Sequence, residues 1–468
     1  MPDPRETRSV GIVGGGLAGL AAAAVLAARG CRVELFERRK HFGGRASSFY
    51  DPELGAWVDH CRHASLGCCT NLADFCRRLG LGDAFSRHES LNFIAPDGRR
   101  HRFVPGRWLP APLHLAPALW RLRFLSVDER IGIGLAMGRL ARLPRQDEHE
   151  QAMATWLRWQ GQSDRAIELF WNPVLISALS ESLERIAVPV ARKVFVDGMM
   201  AARGAHQMHL PDEPLRELFH RRAGDWLRQQ GAVLYPGVRA DHLFADGRRA
   251  AGIVLSDGSR REFDFVVLAV PWHKVRGLLP AALLAWLPEM APVARFASAA
   301  ITAVHLAFDR PITPLPHAVL PGRLSQWLFR GPSAGGRHAY QVIISASHTL
   351  AGTNRDALAA RVRADLTAAF PESSKAELLR VRAVTHPAAV FSPLPGIEPY
   401  RPGQVSAVEG LFFAGDWTAT GWPATMESAV RSGYLAAEGI LHSLARPETI
   451  LAPDLPRSRL ARCITGPS

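Results

Sequence analysis

A glycine-rich segment constrains the fold of this chain more than any other feature of its sequence. Gly14, Gly16 and Gly19 form a G-x-G-x-x-G pattern that follows the strand-like run "VGIV" and precedes an alanine-rich helical stretch. In such a strand–turn–helix unit, the first glycine allows a tight turn, the second lets a pyrophosphate approach the backbone, and the third lets helix and strand pack closely. The next strand-like run ends at Glu37, whose carboxylate can accept hydrogen bonds from a ribose diol. The sequence therefore predicts an α/β fold that binds a dinucleotide.

A second glycine turn indicates which dinucleotide is bound. The segment "ERRKHFGGR" places Arg39 and Arg45 around Gly43 and Gly44. Two guanidinium groups and a second backbone bend can reach phosphate oxygens that a nicotinamide enzyme would leave to water. This combination indicates FAD as the cofactor.

A third segment, "LFFAGDWT", supports the same cofactor from a distant part of the chain. Asp416 follows a strand-like run and a glycine, which suits a ribityl or phosphate contact. The helix that starts near Thr425 would direct its positive end toward the N1/O2 edge of the flavin. The full set of expected FAD-binding residues is Gly14, Gly16, Leu17, Ala18, Gly19, Glu37, Arg39, Gly43, Gly44, Arg45, Val238, Gly415, Asp416, Ala424, Thr425 and Met426.

These motifs resemble those of the phytoene desaturase and amine oxidase type of flavoprotein, and further motifs narrow the resemblance. The closer likeness is to the squalene-associated FAD-dependent desaturases, also named hydroxysqualene dehydroxylases, and it runs from about residue 9 to residue 442. The segments that carry it are "LPAPLHL" (109–115), "RFLSVDER" (123–130), "FWNPVLISALSE" (170–181), "DEPLRELF" (212–219) and "AGDWTATGWPATMESAVRSG" (414–433). The resemblance implies a Rossmann-type, amine-oxidase-like FAD-binding domain with an inserted α+β substrate domain.

The length of 468 residues also favours two domains, since one hydrophobic core rarely serves so long a chain. We expect a discontinuous FAD-binding domain and a substrate domain that faces the membrane. The proline-rich, charged sequence after residue 445 predicts a loose C-terminal tail. The predicted ranges are 1–85, 212–285 and 400–445 for the FAD-binding domain, 86–211 and 286–399 for the substrate domain, and 446–468 for the tail.

The resemblance further implies a reaction on a C30 isoprenoid, the reductive dehydroxylation of hydroxysqualene to squalene in squalene and hopanoid biosynthesis. Loss of the allylic hydroxyl as water leaves a delocalised cation, and N5 of reduced flavin can deliver a hydride to it. The protein must then supply an acid for the leaving hydroxyl and a dry, apolar tunnel. His63 and Glu181 are the candidate catalytic acids.

Two other flavoenzyme reactions remain as alternatives. Carotenoid or phytoene-type desaturation would use the same flavin in the opposite redox direction. An amine oxidase of the same superfamily would typically hold a lysine near flavin N5, but there is no lysine between Lys274 and Lys375. Amine oxidation is therefore the less favoured alternative.

The net charge of +13 comes almost entirely from arginine, because the chain contains only four lysines. It reflects either overall composition or a surface that attracts anions. Nucleic acid is not the expected partner, since the arginines of residues 105–125 lie among tryptophan, leucine and proline. That mixture is typical of a peripheral membrane segment, and the uncharged run from Trp108 to Trp120 is too short, at 13 residues with three prolines, to span a bilayer.

The histidines and cysteines of the segment "DHCRHASLGCCTN" suggest a metal or redox site, but the spacing of the cysteines does not fit one. Cys61, Cys68, Cys69 and Cys76 stand seven, one and seven residues apart, unlike a zinc site, so no metal is expected. Cys76 fits the apolar face of a helix after Thr70. In the family that this chain resembles, the corresponding segment tends to read Asp-Asn-Gly-Gln-His, so "DHCRH" shares only its first and last residues with that pattern. The resemblance implies that this segment forms a wall of the flavin site, to which its arginine adds a positive charge.

The expected compartment is a reducing cytosol with peripheral membrane attachment, because six cysteines do not make a disulfide framework in so long a chain. Residues 9–28 are uncharged, but their glycine turn favours a strand–turn–helix over a signal peptide. No second G-x-G-x-x-G follows a strand. The electron donor is therefore expected to be a free reductant or a partner protein, and an upstream prenyl synthase is a further candidate partner.

Overall fold

The computed structural model of this protein describes residues 7–143 and 151–465; residues 1–6, 144–150 and 466–468, which fall within the predicted domain and tail ranges, lie outside this description. The strands are β1 (Ser9–Val13), β2 (Arg32–Glu37), β3 (Ser48–Asp51), β4 (Ala56–Asp59), β5 (Ser65–Leu66), β6 (Phe85–His88), β7 (Leu91–Ile94), β8 (Arg100–Phe103), β9 (Met208–Pro211), β10 (Val233–Pro236), β11 (Ala240–Asp246), β12 (Arg249–Leu255), β13 (Arg260–Glu262), β14 (Phe265–Leu268), β15 (Ser298–Phe308), β16 (His317–Val319), β17 (Trp327–Ala334), β18 (Arg337–Ser345), β19 (Leu378–Phe391) and β20 (Leu411–Phe413).

The α-helices are α1 (Leu17–Ala27), α2 (Thr70–Arg78), α3 (Ala116–Trp120), α4 (Val127–Arg142), α5 (Met153–Trp159), α6 (Asp164–Ala166), α7 (Asn172–Leu179), α8 (Val188–Phe195), α9 (Ala223–Gln229), α10 (Trp272–Leu278), α11 (Ala281–Leu284), α12 (Met290–Val293), α13 (Arg355–Ala369), α14 (Met426–Ser443) and α15 (Arg459–Thr465). Short π-helical turns (Ile167–Trp171, Val196–Met200, Glu217–Arg222) and 3₁₀ turns (Leu113–Leu115, Ser347–Leu350, Pro371–Lys375, Glu398–Tyr400) extend or connect them. Among the described residues, no helix is both long and apolar enough to cross a membrane.

A parallel sheet forms the centre of the first domain. Its five strands run in the order β10-β2-β1-β14-β20, and each neighbouring pair is parallel. The central strand β1 is buried along its whole length, as an apolar run must be when both faces of a parallel sheet are covered. The predicted α/β fold is therefore confirmed.

Two helices from opposite ends of the chain cover one face of this sheet. Every residue of α1 is buried, which explains its alanine-rich sequence. α14 crosses α1 where Gly433 meets Ala18, because a Cβ on Gly433 would lie only 2.3 Å from the Ala18 carbonyl oxygen. The antiparallel sheet β11-β12-β13 and helices α10 to α12 pack on the opposite face.

A seven-stranded sheet carries the second domain, in the order β19-β15-β18-β17-β16-β7-β8. Helix α13 packs on one face of it, and helices α4 to α8 build an apolar core against β7 and β16. All seven strands lie between residues 91 and 391, whereas the parallel sheet takes its strands from residues 9–37, 233–268 and 411–413.

The segment after α14 is not the loose tail that its composition predicts. We call residues 446–465 the C-terminal strap. Asp454 pairs with Arg431 at 2.7 Å, and Arg457 pairs with Asp197 at 2.7 Å. Helix α15 then packs against α4. The strap is ordered because charges distant in sequence complement its own, and it fastens the first domain to the second.

Candidate active site

The glycine turn after β1 shows which glycines the protein itself requires. Gly14 has φ +110°, and a Cβ there would lie 2.5 Å from the Ala269 carbonyl oxygen. A Cβ on Gly19 would lie 1.9 Å from the Gly14 oxygen. Both positions therefore need glycine for backbone geometry or packing, as the sequence predicts.

Gly16 is different, because nothing in the protein excludes a side chain there. Its φ of −76° and ψ of 178° suit any residue, and a Cβ would meet only the Gly44 Cα, at 4.0 Å. The space in front of Gly16 lies between the first glycine turn and the second one, at the N-terminus of α1. A phosphate group fits the requirements of this space, since it needs open backbone and the positive end of a helix.

The second glycine turn is fastened to the first by backbone hydrogen bonds. The Gly43 N–H donates to the Gly15 carbonyl at 2.8 Å. The Glu37 carboxylate, at the end of β2, accepts from the N–H of Gly15 at 2.9 Å and from that of Arg39 at 2.8 Å. The Arg39 guanidinium donates to the Gly44 carbonyl at 3.1 Å. The residues expected to contact ribose and pyrophosphate therefore form one continuous structure.

An ion pair brings the third predicted segment to the same place. The Arg45 Nη2 donates to Asp416 Oδ1 at 2.6 Å, and Asp416 is only 3% exposed. The other Arg45 nitrogen donates to the Ala389 carbonyl on β19 at 2.7 Å. Arg45 thus joins the two segments expected to bind FAD and also reaches the substrate domain.

The start of α14 is held by its own cap and by a buried carboxylate. Thr425 accepts from the Ser428 N–H, which caps the helix. Glu427 is fully buried and accepts from the backbone N–H groups of Asn71 and Leu72, so it ties α14 to the first turn of α2. The remaining predicted contacts are the buried Leu17 and Ala18 at the start of α1, the buried Gly415 before Asp416, the half-buried Val238 and Ala424 beside the sheet core, and the half-buried Met426 at the start of α14.

His63 lies between the two domains. Its Nδ1 is 2.7 Å from the Cys61 carbonyl oxygen. Burial lowers the pKa of His63; the Cys61 hydrogen bond and the Asp59 carboxylate raise it, and the nearby guanidiniums of Arg45 and Arg62 lower it. The residue as a whole is half-buried. His63 is therefore held by its hydrogen bond to Cys61 close to the Arg45–Asp416 pair.

Glu181 lies in a separate polar cluster. Its carboxylate is fully buried and accepts from the Ser392 hydroxyl. It also pairs with Arg185 at 3.2 Å and with His348 at 3.2 Å. With both oxygens engaged, this carboxylate connects the end of α7 to the end of β19.

Comparison with known families shows to which protein family the chain belongs. The family model described as "flavin containing amine oxidoreductase" matches residues 17–441, which include the second glycine turn, Asp416 and most of α14. The chain belongs to this family of flavin-containing amine oxidoreductases. FAD is accordingly its cofactor, and the space in front of Gly16 fits the phosphates of that group.

Several curated proteins are similar to this chain over nearly its whole length. The 15-cis-phytoene desaturase of Solanum lycopersicum is 27% identical, covering 94% of this chain and 79% of the relative. The hydroxysqualene dehydroxylase of Sinorhizobium fredii is also 27% identical, covering 92% of this chain and 98% of the relative. Among solved structures, cyclohexylamine oxidase from Brevibacterium oxydans is 18% identical with a TM-score of 0.69, covering 94% of this chain and 100% of that one. The amine-oxidase-like fold is therefore confirmed.

Sequence reasoning missed a group of imidazoles beside His63. His60 and His386 have ring centroids 5.5 Å apart, and His305 lies across Phe49 from His60. Burial lowers the pKa of His60 to about 4 and that of His305 to about 4. His305 interrupts the otherwise apolar strand β15, and this interruption is a signal that could have revealed it, whereas β19 carries arginines beside His386 and gives no such signal.

The wall segment "DHCRH" is fastened to the substrate domain by Gln341 of β18. Its amide donates to the Asp59 carbonyl at 3.0 Å and accepts from the Arg62 N–H. The Arg62 guanidinium donates to the Pro211 carbonyl and lies 3.9 Å from Asp59. The charge of Arg62 is therefore engaged within the wall itself.

Cys61, Cys69 and Cys76, in and just after this segment, are thiols held in their protonated form. All the cysteines in the described residues are free. Burial raises the pKa of Cys61 to about 12 and that of Cys76 to about 12, while a hydrogen bond between the Cys69 thiol and Cys68, together with burial, raises the pKa of Cys69. In the part of the chain that the structure describes, no three metal-ligating side chains converge. Cys76 packs with Leu72 in the core of the first domain, as the helical spacing predicts.

The buried imidazoles predict a steep loss of stability in acid. The pKa is lowered to about 4 by burial in each of His60, His114, His220, His305 and His317. From about pH 6.5 down to about pH 4, the unfolded chain binds protons that the native protein does not, so stability falls as the pH falls and is unaffected by these groups above about pH 6.5.

Each such proton adds about 1.4 kcal/mol per pH unit to the slope. Urea unfolding measured at successive pH values should therefore show that the free energy of unfolding falls as the pH is lowered, with a slope that corresponds to the uptake of several protons on unfolding. A free energy that stays constant over this window would contradict buried neutral imidazoles.

Proposed function

We propose that this FAD-dependent oxidoreductase reduces an allylic alcohol of a C30 isoprenoid, converting hydroxysqualene to squalene. The observation that carries the proposal is His63, a half-buried histidine that is held by the Cys61 carbonyl and lies close enough to the Arg45–Asp416 pair for the Arg45 guanidinium to lower its pKa. The motif resemblance over residues 9–442 and the similarity to the Sinorhizobium fredii hydroxysqualene dehydroxylase support it.

The residues around His63 can deliver a proton. When bound and reduced, FAD supplies a hydride. The Cys61 carbonyl accepts the hydrogen of His63 Nδ1, which orients the ring and leaves Nε2 to carry the proton for the leaving hydroxyl. The Asp59 carboxylate favours the protonated imidazole. The surrounding protein excludes water that would otherwise capture an allylic cation.

A cluster of apolar side chains next to the wall segment can hold the isoprenoid chain. Met208, Phe329 and Ile343 form a small core there, against which several accessible side chains pack. The accessible members are Cys61, Leu66, Leu91, Ile301 and Trp327. Side chains of this kind bind hydrocarbon without requiring hydrogen bonds, as a long isoprenoid substrate needs.

Desaturation of a carotenoid precursor such as phytoene is the second candidate, and the protonation state of His63 favours it. Desaturation removes a proton from the substrate, and a neutral imidazole accepts protons. Burial lowers the pKa of His63, which favours that neutral form. The several relatives named phytoene desaturase agree with this alternative.

One paired experiment separates the two candidates. Purified protein, photoreduced without oxygen and mixed with hydroxysqualene, should return to the oxidised flavin spectrum and form squalene in equal amount. The oxidised protein mixed with phytoene should form no additional double bond. Desaturated phytoene, with no squalene from the first mixture, would replace the proposal with the second candidate.

A further inference from the structure

The exposed large hydrophobic side chains are concentrated in one part of the second domain. Of the fourteen in the described residues, eight lie between residues 108 and 159. We call these eight the apolar face: Trp108, Leu109, Leu113, Trp120, Val127, Ile131, Leu135 and Trp159. Scattered exposed hydrophobics are normal on a protein surface, whereas a group of them marks an interaction surface; here α3 packs against α4, and Trp120 of α3 lies beside Arg130 of α4.

Helix α4 contributes a stripe to the apolar face that sequence analysis did not single out. Val127, Ile131 and Leu135 follow each other at four-residue intervals and are 49%, 50% and 58% exposed. The opposite side of the helix is buried, through Ile133 and Leu140 among others. α4 is therefore apolar on the side that faces outward as well as on the side that faces the core, which is unusual for a helix in contact with water.

Arginines surround the apolar face and carry little compensating negative charge. Residues 105–143 contain six arginines and two acidic residues. One of these acids, Glu129, is engaged by the helix cap at Ser126 and by Arg165 at 2.6 Å. Residues 105–143, which supply seven of the eight side chains of the face, therefore carry a net charge of +4.

Two of these arginines lie over tryptophan rings of the apolar face. The Arg130 guanidinium is 4.5 Å from the centre of the Trp120 ring, and that of Arg107 is 5.5 Å from the Trp108 ring. Tryptophan prefers the boundary between water and hydrocarbon, and arginine binds phosphate with its planar guanidinium. Together they match the headgroup region of a phospholipid layer.

We propose that the apolar face docks on a bilayer that contains anionic phospholipid, with α4 lying in the plane of the headgroups. A second copy of this chain fits the same face poorly, because a symmetric contact would place the two net positive charges against each other. The C-terminal strap packs α15 against α4, so the docked helix is held firmly to the first domain. The proposal deepens the proposed function, since a C30 substrate dissolves in the bilayer, but its evidence is independent of the reaction.

Vesicle sedimentation tests the proposal with the purified, FAD-loaded protein. Vesicles of phosphatidylcholine with about 30% phosphatidylglycerol should bind the protein at least about tenfold better than phosphatidylcholine alone, and added salt should weaken binding. An Ile131→Glu, Leu135→Glu double variant should lose at least about tenfold in binding. The matched control, Leu379→Glu with Val405→Glu, changes two aliphatic side chains that are 44% and 63% exposed elsewhere, and should bind as the unchanged protein does.

A second pair of variants guards against misfolding. If the double variant loses its flavin or its cooperative melting, Trp108→Ala replaces it, with Trp286→Ala as the control at another exposed tryptophan. The proposal is overturned if the unchanged protein does not bind vesicles, if Ile131 and Leu135 variants bind equally well, or if these changes dissociate an oligomer instead.

The assay keeps this proposal separate from the proposed reaction. Hydroxysqualene delivered in detergent should be reduced by the double variant and by the unchanged protein at similar rates. A protein that binds vesicles through the apolar face but does not reduce hydroxysqualene would refute the reaction and leave the docking surface in place.

Discussion

A Gly16→Val variant should fold normally and fail to bind FAD. Gly16 has ordinary backbone angles, and a Cβ there meets no protein atom closer than the Gly44 Cα at 4.0 Å. The added side chain would therefore fill only the space between the two glycine turns, where the phosphates of FAD are expected. We expect FAD affinity to fall at least tenfold, equivalent to ~1.4 kcal/mol, measured by fluorescence titration of the apoprotein.

Gly19→Ala is the informative comparison for this experiment. Its Cβ would lie 1.9 Å from the Gly14 carbonyl oxygen, so the variant should lose about 3 kcal/mol or more of stability even without FAD. The melting temperature of the apoprotein should consequently fall for Gly19→Ala and stay unchanged for Gly16→Val. Normal flavin content in Gly16→Val would place the phosphates elsewhere.

Replacing His63 with alanine should lower the turnover of hydroxysqualene by about 100-fold or more while leaving the flavin spectrum and content unchanged. The imidazole would no longer present a proton to the leaving hydroxyl. His209→Gln is the matched control, because His209 is also a half-buried imidazole with a pKa lowered by burial, but its neighbours are Arg87 and His88. This control should retain its turnover.

The pH profile tests the role of His63 directly. Burial places its pKa below the ordinary value of about 6.5, so above that value the protonated fraction rises tenfold for each unit of decreasing pH. If His63 acts as an acid, kcat/KM should rise as the pH falls toward about 6.5, and this dependence should disappear in His63→Ala. A rate that is flat or falls on acidification would contradict the acid role and agree with a base in desaturation.

The local features of the site could be predicted because neighbouring residues determine them. The strand β1, the glycine turn and the start of α1 can be predicted from one short segment. The Thr70–Arg78 helix, which places Cys76 in the core, can likewise be predicted from its own segment. The ion pair between Arg45 and Asp416 could be predicted only as two separate candidates, since its partners meet through the assembled sheet.

Three features could not be predicted, for the same physical reason. The pairing of Glu181 with Ser392 and His348, the engagement of Arg62 with the Pro211 carbonyl and the ordered strap all depend on contacts between residues distant in sequence. Composition alone predicts a loose strap, because it gives the charges of residues 446–465 but not the opposite charges elsewhere in the chain that pair with them. The stripe on α4 was missed because its exposure, rather than its sequence pattern, distinguishes it from an ordinary core-facing helix.

The strand order of the parallel sheet also has a consequence for the order of folding. β1 pairs with β2 nearby, but its other neighbour is β14, and β14 in turn pairs with β20. The long chain segments that separate these paired strands must be brought together before the sheet gains its remaining hydrogen bonds, so the sheet is completed slowly. In a newly made chain, one edge of β1 therefore stays unpaired until β14 has been synthesised. The FAD pocket is consequently among the last parts of the molecule to become complete.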